Sequence, residues 1–93
     1  NNGKAVQLNI PSLNEERRKE LGKLVRKIAE DGRIAIRNIR REINDGFKEL
    51  ESKSEITEDD LTKSQKEVQK ITDEFVERIN DSLAQKEKEI MEV

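Results

Sequence analysis

Apolar residues recur at helical spacing along most of the chain. From about residue 15 to about residue 53 they return every three or four positions, with no proline among them. This spacing places apolar side chains on one face of an α-helix. The pattern predicts two long amphipathic helices, over about residues 15–53 and 58–92. The apolar positions of the second are Leu61, Val68, Ile71, Phe75, Ile79, Leu83 and Ile90.

The segment between the two predicted helices is short and carries a helix-start signal. Three residues, Ser54 to Ile56, separate the helices. The next four, Thr57 to Asp60, resemble a capping box, in which the first and fourth side chains bond each other's backbone N–H groups. A short loop between two long helices makes them antiparallel neighbours. We therefore predict an all-α fold built as a long antiparallel helical hairpin.

Residues 5–10 follow a different pattern. Val6, Leu8 and Ile10 alternate with other residues, as in a β-strand, and Pro11 ends the alternation. Six residues cannot form a sheet alone. We interpret them as a short extended strand that precedes the hairpin and belongs to a larger unit.

The predicted first helix has an apolar face and a basic face. At 100° per residue, one arc of this helix is apolar from Leu21 to Leu50. Phe47 on this arc and Phe75 on the second helix are predicted to be core residues. A second arc holds eleven residues, of which eight are basic and only Glu30 is acidic. We call these eight the basic stripe: Lys19, Lys23, Arg26, Arg33, Arg37, Arg40, Arg41 and Lys48.

The single sign of the basic stripe favours a polyanionic partner. Arg33, Arg37 and Arg41 are like-charge neighbours at i,i+4, and each such pair costs a few tenths of a kcal/mol in an isolated helix. Guanidinium groups bind phosphate oxygens bidentately. The alternative is an ordinary solvated face. The length of the stripe favours contact with an RNA-like surface.

The overall charge and composition limit the other possibilities. Residues 1–48 hold 12 basic and 7 acidic side chains, whereas residues 49–93 hold 7 and 14, so an acidic partner should meet the first half. Charged residues make up 43% of the chain and hydrophobic ones 31%, which suits an extended helical object with a small core. No apolar run approaches the ~20 residues of a membrane span. A basic amphipathic helix could lie on a membrane, but the matching apolar face of the second helix favours packing of protein on protein.

Catalysis has few candidate residues in this sequence. Cysteine, histidine, tyrosine and tryptophan are all absent, which removes the commonest general base and the commonest transition-metal ligands. Glu58, Asp59 and Asp60 cluster at a helix start, where capping is a more usual role for acids than metal binding. We predict no enzymatic activity, no metal site and no cofactor.

Several segments resemble the bacterial ribosome recycling factors. Residues 10–18, Ile-Pro-Ser-Leu-Asn-Glu-Glu-Arg-Arg, are similar to the family's Pro-Pro-Leu-Thr-Glu-Glu-Arg-Arg junction. Residues 35–42, Ala-Ile-Arg-Asn-Ile-Arg-Arg-Glu, are similar to its Ala-Val/Ile-Arg-Asn-Val/Ile-Arg-Arg-Asp segment. Residues 55–59, 64–73 and 86–91 also match in the same order. The resemblance extends over essentially the whole chain.

The resemblance implies a place for each segment in an L-shaped protein. Members of the family have a three-helix bundle, with a small β-rich domain inserted after its first helix. Residues 14–93 would be the second and third bundle helices, and the first would be absent. Residues 1–13 would hold the last strand of the inserted domain and a hinge at Pro11, Ser12 and Leu13. Ser12 stands where the family usually has a second proline.

The resemblance also implies a function. The family binds post-termination ribosomes through large-subunit ribosomal RNA and separates the subunits together with elongation factor G. The RNA-contacting arginines correspond to Arg37, Arg40 and Arg41, and we add Arg33, Arg26 and Lys48 from the basic stripe. The compartment would be the bacterial cytoplasm or an organelle.

Two alternatives remain open at this stage. The chain could instead be a structural helical hairpin that docks on another helical protein, with a merely solvated basic face. In either case a hairpin alone leaves part of its apolar face uncovered. We expect a second copy of the chain, or a separate helix, to cover it.

Overall fold

The computed structural model describes the backbone of residues 2–92 and the side chains of residues 14–92. Helix α1 comprises Asn2–Ser52 and helix α2 comprises Glu58–Glu92. The helices lie side by side in a layer with extents of 80 × 16 × 10 Å. Contacts from Arg26 to Glu87 and from Arg33 to Asn80 give them an antiparallel register. The predicted helical hairpin is confirmed.

The first helix begins earlier than expected. Its backbone is helical across residues 5–10, so the extended strand predicted there is not found. A strand needs a second strand to bond its backbone groups, and residues 2–92 contain none. A helix satisfies those groups within the segment itself. The side chains of the predicted hinge, Pro11, Ser12 and Leu13, lie outside the described ones, and the hinge stays a prediction.

Helix α1 ends in a Schellman turn. The Ser54 N–H donates to the Glu51 carbonyl at 2.9 Å, and the Glu55 N–H donates to the Leu50 carbonyl at 2.9 Å. This pair of bonds forms when the residue just beyond the helix adopts a left-handed backbone. Ser54 does so, with a φ of 61°. A residue with a Cβ atom reaches this conformation only at a cost that glycine avoids.

Helix α2 begins with the predicted capping box. The Asp60 N–H donates to the Thr57 hydroxyl at 3.0 Å, and the Thr57 N–H donates to the Asp60 carboxylate at 3.2 Å. The bond from the Thr57 backbone is the main reason that the pKa of Asp60 lies below its ordinary value of 3.8. The two reciprocal bonds satisfy backbone donors that the helix leaves without intrahelical acceptors.

The two helices meet along a narrow seam whose most buried side chains are small. Ala29 is 8% exposed and Thr72 is 6% exposed, and Gly22 is also buried. A Cβ atom built on Gly32 would lie 3.3 Å from Cδ1 of Ile79, so the helices approach closely there. Small residues at a helix contact permit this approach, but they bury little apolar area.

Part of the apolar face of α1 does not reach α2. Ile28 is 60% exposed and Phe75 is 45% exposed, so the prediction of Phe75 as a core residue is wrong for the hairpin alone. The apolar arc is wider than the contact that one neighbouring helix can make. Phe47 is half-buried. We call the exposed surface the open apolar face: Leu24, Ile28, Ile39, Ile43, Leu50, Ile71 and Phe75.

The left-handed backbone of Ser54 allows a test of the turn. We predict that Ser54→Gly raises the free energy of unfolding by about 0.5–1 kcal/mol, because glycine adopts this conformation without steric cost. Ser52→Gly is the matched control. It makes the same exchange at the last residue of α1, where the backbone is helical and the Ser52 hydroxyl donates to the Glu49 carbonyl at 2.8 Å, so glycine should lower the free energy of unfolding there. Urea unfolding followed by circular dichroism measures both, and destabilisation by Ser54→Gly would contradict the assigned turn.

The capping box should make stability depend on pH. The folded-state pKa of Asp60 is lowered, so its contribution is present above the unfolded-state pKa near 3.8 and is lost as the pH falls through the lowered value. We predict that Asp60→Asn destabilises the protein at neutral pH and that this difference shrinks below about pH 4. Thermal unfolding at several pH values measures it. Asp59→Asn is the control, because it removes the same charge from a residue that does not bond Thr57. If the stability difference between Asp60→Asn and the unchanged protein stays constant with pH, the ionised Asp60 carboxylate does not stabilise the capping box.

Candidate nucleic-acid interface

The basic stripe occupies the side of α1 opposite the open apolar face. Arg37 and Ile28 are nine residues apart, which is half a revolution at 100° per residue. The distance from Arg26 to Lys48 along the helix is about 33 Å at 1.5 Å per residue. The hairpin is therefore a thin layer with an apolar side and a basic side.

Arg33 is held against α2. Its Nε donates to the Asn80 Oδ1 at 2.9 Å, and its Nη1 bonds the Glu30 carboxylate at 3.1 Å. The Arg33 side chain is only 18% exposed. Two of the bonding directions of this guanidinium are therefore used within the hairpin, and fewer remain for a phosphate.

Arg40 and Arg26 also reach across to α2, with longer contacts. Arg40 Nη1 donates to the Gln69 Oε1 at 3.4 Å, and Gln69 in turn donates to Asp73 at 2.8 Å. Arg26 Nη1 lies 3.4 Å from the Glu87 carboxylate, and the two side chains are 55% and 43% exposed. An ion pair with this exposure contributes little to stability. Both guanidiniums can exchange these contacts for a ligand.

Arg37, Arg41 and Lys48 point to solvent. All three residues are exposed. Within residues 14–92 they make no hydrogen bond or ion pair with other side chains. Arg37 and Arg41 are one helical turn apart, about 6 Å along the axis. Neither side chain must break an internal contact before it binds an anion.

The six predicted RNA-binding residues thus form two groups. Arg26, Arg33 and Arg40 contact polar or acidic groups of the hairpin, and Arg37, Arg41 and Lys48 are free to bind. Exposed guanidiniums along one helix side suit the bidentate binding of phosphate oxygens. The structure brings all six to one face of the hairpin.

Sequence reasoning missed the residues of α2 that contact the stripe. Asn80, Gln69 and Glu87 lie opposite Arg33, Arg40 and Arg26 only because of the antiparallel register. The sequence held one indication of these pairs, which was the short loop. The length of the loop and the first residue of α2 together restrict which residues of the two helices can lie side by side. Identifying the individual partners also requires the rotation of each helix about its axis.

Other kinds of site are not found in the part of the chain that the structure describes. Within it, no group of three or more acidic side chains is arranged to hold a metal ion. Neither α1 nor α2, over its described residues, has a stretch apolar enough to cross a bilayer.

Comparisons with known proteins relate this chain to one family. Residues 1–91 match the sequence model of the family described as "Ribosome recycling factor". A ribosome-recycling factor of Alkaliphilus metalliredigens is 56% identical over 93 residues, which are 100% of this chain and 50% of the relative. The ribosome-recycling factors of Bacillus licheniformis and Bacillus subtilis are 55% and 53% identical, over 100% and 98% of this chain and 50% and 49% of theirs.

Two facts follow from these matches. The chain spans about half the length of the curated relatives that it matches. The family description names a factor and not an enzyme, in agreement with the prediction that this chain catalyses no reaction.

The difference between held and free arginines can be measured as stability. We predict that Arg33→Ala lowers the free energy of unfolding by about 0.5–1.5 kcal/mol, because it removes the bonds to Asn80 and Glu30. Arg37→Ala, the same exchange on the same helix, should change it by no more than about 0.5 kcal/mol. Urea unfolding at one fixed protein concentration measures both. In an Asn80→Ala background the cost of Arg33→Ala should shrink; equal costs for Arg33→Ala and Arg37→Ala would contradict the assignment.

Proposed function

Because this chain belongs to the ribosome recycling factor family, we propose that it binds large-subunit ribosomal RNA of the post-termination ribosome through its basic stripe. In the intact protein this binding serves the separation of the ribosomal subunits together with elongation factor G. The chain makes or breaks no bond itself. Its place of action is the bacterial cytoplasm or an organelle.

The observation that carries the proposal is the charge of one side of α1. Eight basic residues share that side with only one acid, Glu30. Glu30 is bonded to Arg33, so it neutralises a residue that is already held. The exposed charge on this side of α1 is therefore almost entirely positive, as an RNA backbone requires.

The two groups of basic residues have different parts in this proposal. Arg37, Arg41 and Lys48 bind phosphate oxygens directly, since these residues are exposed and make no hydrogen bond or ion pair within residues 14–92. Arg33 is a positioning residue that fixes α1 against α2 behind them. Arg26 and Arg40 can join the phosphate contacts because their bonds to Glu87 and Gln69 are long. A rigid helix surface reduces the conformational entropy lost on binding.

The domain arrangement is proposed on the same basis. Residues 14–93 form the bundle domain, and Pro11, Ser12 and Leu13 form the hinge to a β-rich domain. The hinge would set the angle between the two domains.

A second candidate function rests on the open apolar face. Seven large apolar residues are between 37% and 60% exposed there. On this alternative the chain is a structural hairpin that docks on another helical protein, and the basic stripe is solvated. A second copy of the chain or a separate helix could cover the face without any RNA.

Salt dependence tests the proposal directly. We predict that the double variant Arg37→Ala/Arg41→Ala binds large ribosomal subunits more weakly, and that the slope of log affinity against log salt falls by about 1.5. The reason is that two phosphate contacts, and the counterions they release, are lost. Binding measured by co-sedimentation at several salt concentrations gives both quantities.

Lys63→Ala/Lys70→Ala is the matched control. It removes the same two positive charges from exposed positions of α2 that lie away from the basic stripe. Its salt slope should remain close to that of the unchanged chain. If both double variants lose binding equally, the loss reflects the net charge of the chain and not the basic stripe. If neither variant loses binding, the RNA function is excluded and docking on a helical protein is the function that remains.

A further inference from the structure

Two side chains of α2 form a short hydrogen-bonded chain with Arg40. Arg40 Nη1 donates to the Gln69 Oε1 at 3.4 Å, and Gln69 Nε2 donates to the Asp73 Oδ1 at 2.8 Å. Gln69 and Asp73 are four residues apart, so both project from one side of α2. Arg40 is half-buried, whereas Arg37 and Arg41 of the basic stripe are exposed. The amide of Gln69 thus lies between an arginine of the stripe and a carboxylate.

Asp73 determines which end of the Gln69 amide faces Arg40. An ionised carboxylate accepts hydrogen bonds and donates none, so it bonds the NH₂ group of the amide. The amide oxygen is then directed away from Asp73 and toward Arg40. A guanidinium only donates, so it requires that oxygen as its acceptor. The two ends of the amide cannot be exchanged without the loss of both bonds.

The Gln69 amide holds Arg40 without neutralising it. Glutamine carries no charge, and the carboxylate of Asp73 lies beyond the amide. Arg26, in contrast, meets the Glu87 carboxylate directly at 3.4 Å, so part of its charge is offset within the hairpin. Arg40 therefore keeps its positive charge for a polyanion while the contact with Gln69 restricts its orientation.

One edge of the Arg40 guanidinium is free for a phosphate. The Nε and Nη2 atoms of an arginine donate in parallel from one edge, and this edge can bind two phosphate oxygens at once. Within residues 14–92, neither of these atoms of Arg40 makes a hydrogen bond. Arg33 differs, because its Nε already donates to Asn80 at 2.9 Å. Arg40 can therefore bind a phosphate while it keeps its contact with Gln69.

We infer that Gln69, itself fixed by Asp73, is a positioning residue that orients the Arg40 guanidinium toward a phosphate of RNA. This role rests on the RNA-binding function proposed for the basic stripe. Arg37, Arg40 and Arg41 lie within about 6 Å along the axis of α1, so Arg40 adds a third phosphate-binding group beside the two exposed arginines. An arginine that is already oriented loses less conformational entropy when it binds. Helix α2 thereby contributes to RNA binding through a residue of α1.

The affinity of the full chain for large ribosomal subunits tests this role. We predict that Gln69→Ala weakens binding about 2- to 10-fold, the loss expected when one more side chain must be ordered on binding. The slope of log affinity against log salt should not change, because the number of phosphate contacts is the same. Arg40→Ala should weaken binding and also lower that slope by about 1. Gln85→Ala is the matched control and should bind as the unchanged chain does, since Gln85 is exposed and is turned about 160° from Gln69 on α2.

Two double variants show whether Gln69 acts through Arg40. In an Arg40→Ala background, Gln69→Ala should cause no further loss of binding, because no guanidinium remains to be oriented. In an Asp73→Asn background its effect should shrink, because an asparagine side chain can bond either end of the amide. If Gln69→Ala causes the same loss with and without Arg40, the role of Gln69 is structural and the positioning role is overturned. Unchanged binding by Gln69→Ala would overturn it as well.

A measurement without RNA separates the positioning role from the RNA function. In ¹⁵N NMR of the full chain, the Arg40 Nε–H group should move faster in Gln69→Ala than in the unchanged chain. The Arg37 Nε–H group should not change, since Arg37 makes no hydrogen bond or ion pair within residues 14–92. If Arg40 moves equally in both proteins, the positioning role fails even where salt-dependent RNA binding holds. If Gln69 restricts Arg40 but binding to ribosomal subunits depends neither on salt nor on the basic stripe, the RNA function fails, and the role of Gln69 in RNA binding fails with it.

Discussion

The most buried residues of the seam between α1 and α2 are small, and the narrowness of the seam determines what the rest of the surface can do. Ala29 and Thr72 are buried there, and Gly32 lies close to Ile79. A seam of this kind lets two helix backbones approach but covers only one edge of each apolar face. The remaining apolar residues and the basic residues are therefore displayed on opposite sides of a layer one helix thick.

The ends of the helices fix the register of that seam. The Schellman turn at Ser54 ends α1, and the capping box of Thr57 and Asp60 starts α2 three residues later. Each motif satisfies backbone groups that the helices cannot satisfy themselves. With both ends fixed, Arg33 meets Asn80 far from the loop. The local hydrogen bonds of the turn thus influence which arginines of the basic stripe stay free.

The basic stripe shows how far a helical wheel can be used. The arc that collects the basic residues follows from the 100° rotation per residue, so Arg37, Arg41 and Lys48 share a side with Arg33 whatever α1 packs against. The wheel treats these side chains as equivalent. The structure separates them, because α2 supplies Asn80 to Arg33 and Gln69 to Arg40 and supplies nothing to Arg37. RNA binding, if it follows this division, depends on the unengaged side chains.

The sequence by itself determined the two helices, the capping box and the opposed apolar and basic sides, because each depends on residues within a few positions of one another. It predicted a strand at residues 5–10 that is absent, since a strand depends on a distant partner that the alternation of Val6 and Leu8 cannot supply. Only the tertiary structure decided that Phe75 stays exposed and that Arg33 is held. Both depend on which edge of α1 faces α2, and a narrow contact between small residues is consistent with more than one rotation of an amphipathic helix until the packing is known.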